Sequence, residues 1–80
     1  MNKESLQATL TEACSQQDGD IYQFEKARSA AALVTAGGEL LTIESVVEIQ
    51  LKGDVVVVAT DRDKTFVTTD CMLGVRVGAQ

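Results

Sequence analysis

The segment VVEIQLKGDVVVVAT, Val46 to Thr60, restricts the fold more than any other part of the chain. Val47, Ile49 and Leu51 alternate with Glu48, Gln50 and Lys52, the two-residue period that sends one set of side chains to a core and the other toward water. Gly53-Asp54 then interrupts the run as a two-residue hairpin loop does. Counting outward from that loop pairs Lys52 with Val55, Leu51 with Val56, Ile49 with Val58 and Val47 with Thr60, which gives one consistent apolar face on both strands. A second turn, at Arg62-Asp63, pairs Asp61 with Lys64, Thr60 with Thr65, Val58 with Val67 and Val56 with Thr69. Opposite charges then flank the turn. The expectation is an antiparallel meander.

This register also places apolar residues on the other face. Val55 and Val57 stand beside Gln50 and Thr68, and Ala59 and Phe66 lie next to Glu48. A run such as Val55-Val56-Val57-Val58 is typical of strands covered on both sides, and an uncovered tetravaline strand without proline is an aggregation hazard. Something is expected to cover this face. Two covers are open: the N-terminal helix or a curled barrel wall, or a second subunit or other protein seated on Val55, Val57 and Phe66.

Elsewhere the pattern changes period. Leu6, Leu10 and Cys14 recur every fourth residue, the stripe of an amphipathic helix over residues 1–17. Asn2 or Ser5 can cap it, Glu4 suits its positive end, and Gly19 can supply the positive φ that ends it. Ile21 to Ala32 fits helix or strand, and a strand over Ile21 to Lys26 would help protect a sheet edge. AALVT and ELLTI around Ala36-Gly37-Gly38 predict a hairpin, and Met72 to Val77 a closing strand with a bulge or bend at Gly74. The fold class is therefore α+β: one domain over residues 1–80, with a helix followed by a β-meander of about five short strands across residues 31–78.

The 80 residues bury only about 60% of the surface the unfolded chain exposes, and small cores of this kind commonly rely on a disulfide, a metal or association. With two cysteines and no histidine, a tetrahedral Cys/His zinc site cannot be assembled within one chain. Nucleophile–histidine catalysis is excluded on the same ground. Cys14 and Cys71 are expected as unbridged, inert thiols of a reducing compartment. Asp61-Arg62-Asp63 and Asp18-Gly19-Asp20 do not continue into a calcium-binding loop, and Gly37-Gly38 does not continue into a phosphate-binding one. A net charge of −5 without a basic block disfavours nucleic acid and anionic membranes as partners. The start MNKESLQATL lacks the apolar stretch of a signal peptide and no window is apolar enough for a membrane span, so a cytoplasmic location is expected.

One helix followed by about five short strands resembles the layout of Sm-like and SH3-like small barrels, and this likeness implies a small barrel. ELLTIESVVEIQL lacks the glycine that Sm-like families carry in a bent second strand, and no basic RNA-binding surface accompanies it. No family is assigned on this likeness, and layout alone does not establish function.

The functional expectation is a non-catalytic protein-interaction module without metal or cofactor, self-associating through the Val55, Val57 and Phe66 face or through a free strand edge. The alternative is a small-ligand or regulatory binding domain with a pocket at a barrel mouth or subunit groove near Tyr22, Phe24 and Arg76.

Overall fold

A computed structural model describes residues 1–78. The helix α1 spans Lys3–Ala13, and eight strands follow: β1 Gln16–Asp18, β2 Ile21–Gln23, β3 Ala30–Ala36, β4 Glu39–Ile43, β5 Val46–Lys52, β6 Val55–Thr60, β7 Lys64–Thr68 and β8 Met72–Val77. A short 3₁₀ turn, Thr69–Cys71, separates the last two. All strand pairs are antiparallel, in one sheet ordered β1-β2-β5-β6-β7 and a second ordered β4-β3-β8. The α+β architecture holds, but with eight strands in two sheets rather than about five in a closed barrel.

The helix begins where its cap places it: the Asn2 side chain accepts the Ser5 N–H at 2.8 Å. It ends at Ala13, earlier than the expected residue 17, because Cys14 is already extended and the Ser15 N–H donates to the Gln23 carbonyl at 2.9 Å. The chain thus enters β1 at once. Gly19, expected to end the helix, instead lies at φ +61° in the loop that pairs Asp18 with Ile21. The strand reading of Ile21 to Lys26 is correct for Ile21–Gln23 only, since irregular backbone follows as far as Ser29.

The Gly53-Asp54 loop is as expected: Lys52 pairs with Val55, Leu51 with Val56 and Ile49 with Val58. Gly53 takes φ +61°, as the first central residue of a type II′ hairpin turn does. Farther out, Thr60 pairs with Val46, not Val47, because a bulge inserts Val47 into β5. The bulge turns Val46 into the core and leaves Val47 half-buried.

The second turn differs more. Val56 pairs with Val67, Val57 with Phe66 and Ala59 with Lys64, a shift of two residues from the expected register. The cause is the loop Thr60–Asp63. The Thr60 hydroxyl oxygen accepts the Arg62 and Asp63 N–H groups at 3.2 and 3.1 Å, and its proton reaches Asp63 Oδ1 at 2.9 Å. Asp61, Arg62 and Asp63 are therefore loop residues, and no Asp61–Lys64 pair flanks the turn. A two-residue shift preserves side-chain parity, so each residue keeps its expected face.

The core lies between the sheets. Tyr22, Ile49, Leu51, Val56 and Val58 meet Ala32, Val34 and Met72 there, and all are buried. Leu6 and Leu10 of α1 belong to this same cluster, each buried side chain being worth about 1.5–3 kcal/mol. Cys14 packs half-buried at its margin, and both Cys14 and Cys71 are free thiols. On β8 the extra residue Leu73, beside Gly74, makes the bulge expected near that glycine.

Candidate protein-interaction surface

Because α1 commits its apolar stripe to the inner core, it does not cover the outer face of the five-stranded sheet. The first of the two expected covers is thus overturned: neither the helix nor a closed barrel wall lies on that face. Cross-strand rows on this face run Gln50–Val57–Phe66, Lys52–Val55–Thr68 and Glu48–Ala59–Lys64. Phe66 is 65% exposed and Val55 38%, whereas Val57, flanked by Gln50 and Phe66, is only 6% exposed. Of the three residues singled out from sequence, Phe66 and Val55 form the accessible surface and Val57 forms its floor.

Phe66 also sits on an open edge, since among the described residues β7 pairs with β6 alone. The Thr60 N–H donates to the Asp63 carbonyl and the Thr69 N–H to the Asp54 carbonyl, both at 2.9 Å. These bonds fix the alternation along the pair: Thr65 and Val67 direct their peptide groups to β6, while Lys64, Phe66 and Thr68 turn theirs outward. An exposed aromatic therefore lies beside a row of strand donors and acceptors that have no strand partner.

Sequence reasoning missed a second apolar edge. Among the described residues β4 pairs only with β3, and its Leu40 and Leu41 are 61% and 46% exposed. Gly37 and Gly38, at φ +59° and +85°, form the tight loop that makes Ala36–Glu39 the first pair. Leu40 and Thr42 then direct their peptide groups outward. The available signal was the absence of alternation in ELLTI, which gives the strand no single buried face.

Tyr22, Phe24 and Arg76 do not line a common pocket within the single chain. Tyr22 and Phe24 are buried in the core, and Arg76 lies on the surface with its Nη2 3.0 Å from Glu44 Oε1. Two open hollows of about 410 and 460 Å³ lie elsewhere and share Ser45 and Asp61. Lys26 and Arg28 balance Glu25 and Asp61 in the first, whereas Glu44, Asp61 and Asp63 outnumber Arg62 in the second, which is net acidic. Among the described residues no group of three or more potential metal ligands occurs, and no helix is long and apolar enough to cross a membrane.

No protein-family model matches this chain, and no curated protein or solved structure matches it significantly.

Proposed function

We propose that this chain is a non-catalytic protein-interaction module that associates with itself through the outer face of the five-stranded sheet, at Val55 and Phe66 over Val57. The observation that carries the reading is Phe66: a large aromatic 65% exposed on the edge strand β7, near the exposed Val55 of the neighbouring β6. Aromatic side chains in this situation are enriched at protein interfaces. Covering it would also protect the open edge, which is otherwise a template for uncontrolled strand pairing.

Sedimentation velocity on the purified chain from low to high micromolar concentration tests the reading. Concentration-dependent conversion of monomer to a discrete, saturating oligomer is the expected result. A strictly monomeric species across that range overturns self-association, and open-ended aggregation overturns a defined assembly.

A further inference from the structure

Resting on that reading, we propose the architecture of the assembly: two copies pair antiparallel through β7, with a twofold axis at Phe66, joining the two five-stranded sheets into one continuous sheet. The outward peptide groups of Lys64, Phe66 and Thr68 set the phase of such a pairing, because only residues whose N–H and C=O face the edge can exchange bonds across it. Centring on Phe66 uses all three. Phe66 then lies opposite Phe66 of the second copy, and Lys64 opposite Thr68.

The side chains agree with this phase. The row Gln50–Val57–Phe66 continues into its own mirror, so that two exposed phenylalanines meet between two valine floors. Each Lys64 arrives beside the Thr68–Val55 pair of the other copy, and no like charges stand directly opposite. Past the strand ends, the same phase carries Arg62 toward Asp70 of the second copy. Arg62, Lys64 and Asp70 are all exposed and none has an ion-pair partner within its own chain among the described residues. Asp61 and Asp63, which flank Arg62, fall opposite Cys71 and Thr69, so each end of the interface carries one opposite-charge pair, Arg62 with Asp70, and no pair of like charges directly opposite.

The other apolar edge fits a second copy less well. A twofold axis at Leu41 would set Leu40 opposite Thr42, Glu39 opposite Ile43 and Glu44 opposite Gly38, so no opposite-charge pair forms across that edge, and Arg76 already holds Glu44. Joining β4 to β7 of another copy would be head-to-tail, which gives an open filament unless the rotation closes. The β7 pairing closes after two copies and covers the β7 edge of each, while the β1 and β4 edges stay open.

Cysteine cross-linking reads the register directly. In a Cys14→Ala, Cys71→Ala background that keeps Phe66, a mixture of Lys64→Cys and Thr68→Cys chains is expected to form a disulfide-linked dimer on mild oxidation, since paired residues there have Cα atoms about 5.5 Å apart. Two copies of Lys64→Cys, about 14 Å apart across the axis, are expected to stay unlinked alone. On the unmodified protein, nuclear Overhauser contacts between labelled and unlabelled copies should connect Lys64 with Thr68 and Phe66 with Phe66. A self-associating protein that instead links through Leu41→Cys, or shows contacts between β4 strands or between β4 and β7, overturns the β7 architecture and leaves self-association standing. A protein monomeric throughout overturns both.

Discussion

Replacing Phe66 with threonine should separate association from folding. Full burial of a phenylalanine is worth about 1.5–3 kcal/mol, and Phe66 is still 65% exposed in the single chain. Roughly two thirds of that value, about 1–2 kcal/mol, is therefore left to be gained when a partner covers it. A twofold interface contains the residue twice, so Phe66→Thr should weaken the dimer by about 2–4 kcal/mol, roughly 30- to 700-fold in Kd. Threonine keeps the β preference of the position, and the removed ring contributes little to the inner core, so the monomer should melt nearly as the parent does. Sedimentation equilibrium gives the Kd, and circular dichroism at a concentration where both proteins are monomeric gives the stability. An unchanged Kd would refute the reasoning, as would a monomer that unfolds. Val57 is a poor probe by comparison, because at 6% exposure its truncation disturbs the sheet itself.

Three further outcomes follow from the packing and the loops. Ile49→Ala empties a fully buried site in the core cluster and should cost about 2–5 kcal/mol in urea unfolding, enough to unfold much of so small a domain. Thr60→Val keeps the shape of the side chain but removes the oxygen that accepts the Arg62 and Asp63 N–H groups; thermal melts should show a loss of about 1–2 kcal/mol. Arg76→Ala should change stability by less than about 0.5 kcal/mol at any salt concentration, because its partner Glu44 and the arginine are 57% and 62% exposed.

Strand identity and face assignment were legible wherever local chemistry decided them. Gly53 can supply the positive φ that its turn needs, and alternation from Val47 to Leu51 marks the wetter side of β5, so the first hairpin and its pairs near the loop follow from sequence. The second hairpin slipped by two residues because the Thr60 hydroxyl organises its loop, a side-chain-to-backbone choice that charge placement at Asp61 and Lys64 does not reveal. The Val47 bulge and the early end of α1 depend on tertiary partners, Thr60 and Gln23, that no local window contains. The apolar outer face was foreseen from the valine run, yet how it divides into exposed Phe66 and Val55 and buried Val57 needed the observed register. Leu40 and Leu41 escaped notice because an edge strand and a covered strand read alike when alternation is absent.

Amide hydrogen exchange along β7, followed as a function of protein concentration, tests the central claim most directly. In the monomer the Lys64, Phe66 and Thr68 N–H groups face the open edge, while those of Thr65 and Val67 are bonded to β6. The expected result is that Lys64, Phe66 and Thr68 exchange rapidly in dilute solution and become protected as concentration rises, with Thr65 and Val67 protected throughout. Rapid exchange of the three at every concentration in a protein that does oligomerise, or new protection at Leu40 and Thr42 instead, would contradict it.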